Sequence, residues 1–389
     1  MQSELGYFDY ASTTPVDQRV LETMIPYFSG EFGNPSSRTH EFGRVAEEAV
    51  KKGRAQVASI IGAKPEEIIF TSGSTEAINL ALKGVFESYK DKGNHIITVS
   101  TEHKAVLDTC KYLETKGAQI TYLPVDENGL LSLENLQGAI TSETILVSVM
   151  FANNETGVIQ DIEEIIRITK EAGALFMTDA TQAVGKVPLK VHELGIDLLT
   201  CSAHKFYGPK GIGALYVKRK YPKIQLTPII HGGGHEKGFR SGTLNAPLIV
   251  GLGKACELAN NEMEDEGKRL GKFRDQLEQE LLSIDGCVIH SSGVERLPNI
   301  SNMHFKDIDG EALIMAIRDR IAISNGSACT SAEILPSHVL MAMFEDEDLA
   351  YSAIRISLGR QTMSEEIEIV IRVLKEAVSR LKSFTDQLI

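Results

Sequence analysis

The chain has 389 residues, 42% of them apolar and 24% charged, with a formal net charge of −13 and a pI near 5.3. That composition fits a soluble globular protein with one large and one smaller domain, and it excludes disordered, collagen-like and coiled-coil classes. The acidic balance argues against a general nucleic-acid or anionic-membrane binder, and no apolar run reaches the ~20 residues of a membrane span.

From about residue 40 to 220 the pattern alternates. Helical periodicity over 40–61, 75–91, 103–116 and 161–172 separates short β-rich runs. These are Ile68–Thr71, His95–Ser100, Gln119–Val125, Thr144–Met150, Ala174–Asp179, Leu198–Ser202 and Ile212–Val217. Several are apolar nearly throughout, as strands covered on both faces are, which predicts a mostly parallel α/β sheet. Beyond Asn245 the texture changes to a long helical pattern over 246–284. β-like pieces follow at Val288–Ser291, Ile300–Phe305 and Ile354–Leu358, with helices over 310–319 and 364–382. The expected fold class is therefore α/β, with a large mostly parallel sheet domain over 31–250 and a smaller α+β domain over 251–389. Residues 1–30 are expected to pack with the small domain.

The Met1-Gln2-Ser3-Glu4 start has no basic stretch followed by an apolar one, so no secretory signal is expected. Five cysteines stand at 110, 201, 256, 287 and 329 without a CxxC pair. This spacing predicts no disulfide framework or structural zinc, and a reducing, cytoplasmic setting.

Polar clusters follow several predicted strands. Thr71-Ser72-Gly73-Ser74-Thr75-Glu76 opens a helix and reads as an anion site or as an ordinary cap. Glu102-His103-Lys104 offers a histidine for stacking or proton transfer, or for capping. Asn153-Asn154-Glu155-Thr156-Gly157 has the composition of a turn. Asp179-Ala180-Thr181-Gln182 and Ser202-Ala203-His204-Lys205 put an acid and a lysine at successive strand ends. Separately they read as a cap and a solvated charge. Together they suit pyridoxal phosphate, with Lys205 on the aldehyde, Asp179 on the pyridine nitrogen, and Ser202 and His204 on the phosphate. His231-Gly-Gly-Gly-His235 invites a metal reading, but the glycines argue against one. Ser241-Gly242-Thr243 suits a further phosphate oxygen. In Ser324–Ser331, small neighbours give Cys329 access and motion, so it reads as the reactive thiol. Cys110, Cys201 and Cys256 read as packing.

Taken with Phe32–Ser37, Thr101–Val106 and Arg240–Thr243, this set closely resembles the cysteine desulfurases of the NifS/IscS type. These belong to the class-V aminotransferase group of fold-type-I pyridoxal-phosphate enzymes. The resemblance runs from about Tyr7 to Gly359, and Ser327–Ser331 before Leu335–Leu340 is similar to the long-Cys-loop group. It implies Lys205 as Schiff-base lysine, Gln182 on the ring hydroxyl, and His103 over the ring in proton transfer. Ser74, Thr75, Ser202 and His204 would hold the phosphate, and Thr243 would reach the phosphate of the neighbouring subunit of a homodimer. Asn34, Asn154 and Arg355 would receive the substrate amino acid, with Asn154 also beside the cofactor.

Cys329 would be the nucleophile, taking sulfur from L-cysteine as a persulfide and releasing L-alanine. It would pass sulfur to an iron–sulfur scaffold or a tRNA-thiolation protein. A transient iron–sulfur ligand role at Cys329 is also left open; no other metal is expected. The helical C-terminus stops at Ile389, short of the tail that docks the scaffold in the resembled proteins, which leaves other acceptors open. The competing expectations are a class-V aminotransferase or selenocysteine lyase, with no need of Cys329, and a cofactor-free docking relative.

Overall fold

A computed structural model describes residues 5–219, 223–325 and 336–385. The chain starts with β1 (Gly6–Tyr7), α1 (Gln18–Met24), α2 (Pro26–Ser29) and α3 (Glu41–Ile60). It then alternates β2 (Ile68–Thr71), α4 (Ser74–Tyr89), β3 (His95–Val99), α5 (Lys104–Glu114), β4 (Gln119–Leu123), α6 (Leu133–Ala139), β5 (Thr144–Ser148), α7 (Ile162–Glu171), β6 (Leu175–Asp179), α8 (Val191–Leu194), β7 (Leu198–Ser202) and β8 (Gly213–Val217). The remainder is α9 (Ala246–Leu281), β9 (Cys287–Ile289), β10 (Ile300–Phe305), α10 (Gly310–Ile317), β11 (Ile321–Ala322), α11 (His338–Phe344), α12 (Glu347–Ser352), β12 (Ala353–Ser357) and α13 (Ser364–Thr385).

The large sheet has seven strands in the order β2-β8-β7-β6-β5-β3-β4. The central β3, β5, β6 and β7 run parallel, and only β8 runs against its neighbours. All five residues of β3, β5, β7 and β8 are buried, as expected of strands with helices on both faces. The chain goes outward from β3 to β4 and then returns to β5 on the other side of β3. Loops leaving the carboxyl ends of β3 and β5 therefore part, and an open α/β sheet presents its binding crevice at such a point. β2 shares this direction, so its end joins the same edge.

A second sheet, β12-β10-β9, is antiparallel and packs its own apolar cluster around Phe305, Ile354 and Leu374. The described part of residues 1–30 divides between the two clusters. β1 pairs with β11 and Phe8 joins the second cluster, whereas Ala11, Val20 and Met24 belong to the core of the large sheet. Helix α9 belongs to both units. Ile249–Ala259 pack into the first core and Leu270–Leu281 into the second, so a boundary at 250 falls inside a continuous helix.

Candidate active site

The carboxyl edge of the large sheet and the N-terminal segment enclose a pocket of about 280 Å³, at the lower end of the ~300–1,000 Å³ usual for small-molecule sites. Ser74, Thr75, His103, Asn154, Asp179, Gln182, His204, Lys205 and Arg355 all line it. The fold thus brings nine of the expected residues, Arg355 among them from the resemblance alone, to one pocket.

At the end of β2, Gly73 precedes α4, whose first-turn N–H groups have no acceptor within the helix. A Cβ on Gly213 would lie 2.6 Å from the Cys201 carbonyl oxygen and 2.7 Å from Gly73, so only glycine lets β8 pass this turn. Glu76 accepts from the Ser72 N–H at 2.7 Å and pairs with Arg240 at 2.8 Å, which ties the 231–243 loop to the start of α4. Ser202 is buried at the end of β7, facing Gly73.

After β3, His103 caps α5. Its Nδ1 accepts from the Ala105 N–H at 3.0 Å, so the neutral ring carries its proton on Nε2. Burial lowers its pKa, and the Lys205 charge acts in the same direction. Neighbouring Glu102 is fully buried. Desolvation, with Asp179 adding, pushes its carboxyl well above the usual range, and its Oε1 accepts from the Met150 N–H at 2.5 Å. After β5, Asn153 closes a turn by accepting from the Glu155 and Thr156 N–H groups, which confirms the turn reading of that motif and turns Asn154 into the pocket wall.

At the end of β6, Oδ1 of Asp179 accepts from the Thr181 N–H (3.0 Å), the Thr181 hydroxyl (2.5 Å) and the Thr200 hydroxyl (3.1 Å). These three bonds, all on Oδ1, fix the carboxylate in the pocket wall. After β7 the chain enters a 3-10 turn, Ala203–Lys205. His204 Nδ1 meets the Thr13 hydroxyl at 3.1 Å. Burial, then the Lys205 charge, pulls His204 down to about 4, so it is neutral near pH 7.

The opposite wall comes from the N-terminus, and motif reading missed it. Lys205 Nζ donates to the Ala11 carbonyl at 2.8 Å and the Ser12 carbonyl at 2.7 Å, while Gln182 Nε2 donates to Ala11 at 2.9 Å. Arg355, buried on β12, donates through Nη1 to the Asn154 carbonyl. Its Nη2 reaches Asp9 and the Ser12 hydroxyl, all at 2.8 Å. Its Nε has no hydrogen-bond partner among the described residues. The one sequence signal for this wall is the small polar run Asp9–Thr14 after an apolar Gly6–Phe8.

Asn34 and Thr243 are exposed and do not line this chain's pocket. Cys329 lies outside the described residues. The described residues that flank 326–335 are anchored at the site. Ser324 exchanges backbone hydrogen bonds with Arg355, Ser337 donates to Glu155 at 2.5 Å, and His338 donates to the Glu102 carbonyl at 2.9 Å. Among the described residues no cluster of metal-ligating side chains occurs, His231 and His235 included. No described helix is long and apolar enough to cross a membrane.

The match to known proteins is extensive. The aminotransferase class-V family model matches residues 6–370. A cysteine desulfurase IscS from Neisseria meningitidis serogroup C is 52% identical over 379 residues, covering 97% of this chain and 93% of the relative. A solved NifS-like protein superposes with a TM-score of 0.90 at 40% identity, over 96% of this chain and 99% of the other. The structure of SspA in complex with cysteine gives 0.80 at 39% identity, over 91% of this chain and 98% of the other. The chain belongs to the class-V aminotransferase family and, within it, to the cysteine desulfurases of the NifS/IscS type.

Proposed function

We propose that this chain binds pyridoxal phosphate and converts L-cysteine to L-alanine, storing the sulfur as a persulfide on Cys329. The observation that carries this reading is the convergence of Lys205, Asp179, His103 and Arg355 on one pocket. The pocket's chemistry fits the cofactor. The acceptor-free first turn of α4, with Ser74 and Thr75, suits a phosphate, together with Ser202 and His204. Asp179 holds a carboxylate in the pocket wall for a pyridinium nitrogen, and Gln182 carries an amide donor for the ring oxygen. When bound, the cofactor supplies an electron sink for the substrate Cα.

This chain's residues do the rest. Arg355, with its unpartnered buried Nε, receives the substrate carboxylate beside Asn154, and Asn34 assists. Lys205 moves the Cα proton, and neutral His103 exchanges a proton through Nε2. The Cys329 thiolate attacks the substrate sulfur. The S–S bond forms as the substrate C–S bond breaks, and the carbon skeleton takes a proton and leaves as alanine, with no external oxidant.

The other cysteines support the assignment of the thiol. Burial pushes Cys110 and Cys201 to about 12, Cys287 to about 11 and Cys256 well above its usual value, so none of them offers a thiolate near pH 7. Cys329 lies five residues from anchored Ser324, a reach of at most about 18 Å for an extended chain.

The exposed Thr243 suits a role in the pocket of a second copy, and the exposed Phe28, Phe32 and Phe42 support a homodimer. The sulfur acceptor is an iron–sulfur scaffold or a tRNA-thiolation protein in the cytoplasm. The test is to incubate the purified protein with L-cysteine and dithiothreitol and to quantify sulfide and alanine together. Equal yields, lost in Cys329→Ala, are expected. Alanine or pyruvate without Cys329-dependent sulfide would overturn the persulfide route in favour of an aminotransferase or lyase.

A further inference from the structure

Lys186 lies four residues beyond Gln182 in the turn that follows β6. Its Nζ donates to Gln182 Oε1 at 2.6 Å. On the other side, Gln182 Nε2 donates to the Ala11 carbonyl, the same oxygen that accepts from Lys205. A carbonyl can only accept, so the amide must turn its NH2 toward Ala11, and Lys186 then occupies the amide oxygen. With both ends held, the NH2 edge has one orientation.

We propose that Lys186 is a positioning residue: through Oε1 it locks the Gln182 carboxamide with its NH2 edge toward the pocket, where it donates to the cofactor's ring oxygen. The proposal rests on the pyridoxal-phosphate reading given above. Among the described residues, Gln182 is the hydrogen-bond partner of this lysine. It points inward beside Lys205 and Tyr207, with Tyr10 from the N-terminal segment and Glu266 from α9 in the same narrow cavity. His204 and the Arg355 charge on β12 also face it. The Glu266 carboxylate accepts from Arg360 at 2.8 Å and acts on Lys186 through its charge alone, with no hydrogen bond between the two. Burial, then the Lys205 charge, brings Lys186 down to about 7. The side chain therefore bonds a neutral amide in a place that disfavours its own charge. A lysine kept only to fill space would be replaced by methionine without loss.

The test uses the pyridoxal-phosphate-loaded protein without substrate, its visible absorption band titrated with pH. Gln182→Ala removes the donor to the ring oxygen and is expected to raise the midpoint by about one pH unit. Lys186→Met is expected to raise it comparably, and the double variant no further than the larger single change, because both act through one bond. Lys186→Arg and Lys186→Gln, which keep a donor, are expected to stay near the wild-type midpoint. If Lys186→Met does not fold, these two against Gln182→Ala carry the comparison.

A Lys186→Met midpoint equal to wild type, an additive double variant, or a Lys186→Gln shift as large as that of Gln182→Ala would each overturn the proposal. A wild-type protein that forms no visible band with pyridoxal phosphate would overturn the parent reading and this one with it. A normal band with an unresponsive Lys186→Met overturns this one alone.

Discussion

The two walls of the pocket are built differently. The sheet wall presents side chains at strand ends: His103, Asp179, Gln182, Lys205. The N-terminal wall works largely through its backbone, with the Ala11 and Ser12 carbonyls on Lys205, and through Asp9 and Ser12 on Arg355. The first wall contains the groups suited to chemistry, and the second sets where they sit. A site can thus be half invisible to any reading that looks for reactive residue types.

Substitutions can break or sharpen this contrast. The largest effect is expected on the sheet wall. Lys205→Ala should abolish turnover, at least about 10³-fold, and lose the visible band while keeping pyridoxal phosphate through the phosphate contacts. Collapse of the whole fold would instead mark Lys205 as a core residue.

On the N-terminal wall, Asp9→Ala should raise KM for L-cysteine about tenfold, equivalent to about 1.4 kcal/mol, with kcat nearly unchanged, because Arg355 loses the partner that orients it. A fall in KM would show that Asp9 competes with the substrate for the guanidinium rather than holding it.

Lys186 yields a pH signature. Its folded pKa of about 7 lies below its ordinary 10.5, so between those values the unfolded chain binds more protons. Wild-type stability should therefore rise with pH across that window and be lost as pH falls toward 7. Chemical denaturation of Lys186→Met should show a shallower slope. The smallest effect belongs to Glu102. Burial pushes its carboxyl toward the neutral form, and Glu102→Gln keeps the shape and the acceptor for the Met150 N–H, so it should alter the unfolding free energy by about 1 kcal/mol or less. A large loss would mean that the carboxyl is ionised.

Much of the sheet wall was legible in the sequence. Apolar runs end abruptly in Thr-Ser-Gly, Asp-Ala-Thr-Gln or Ser-Ala-His-Lys, and a strand buried on both faces has no other place to put polar groups than its ends. The N-terminal wall was not legible, because a carbonyl is present at every residue and its use depends on tertiary approach. The same reason hid Lys186, whose role lies in a single bond to a neighbouring amide. Helix α9 gives pattern reading no point at which to divide the chain. Its periodicity runs unbroken through two cores, and pattern alone does not record which core each turn faces. Asn34 and Thr243 carry no signal within one chain, since both are exposed in it.

The link between Asp9 and Arg355 joins positions 346 residues apart. Closing a loop of that length costs about 5 kcal/mol of chain entropy before any contact compensates for it. During synthesis, the early residues that cradle Lys205 leave the ribosome long before Arg355 exists, and before β11, on which β1 pairs, has been made. The pocket therefore reaches its full set of contacts only after Arg355 has been made. A nascent chain with Lys205 already placed still lacks the Arg355 contacts to Asp9, Ser12 and Asn154, so this pocket is assembled in an order that the chain itself dictates.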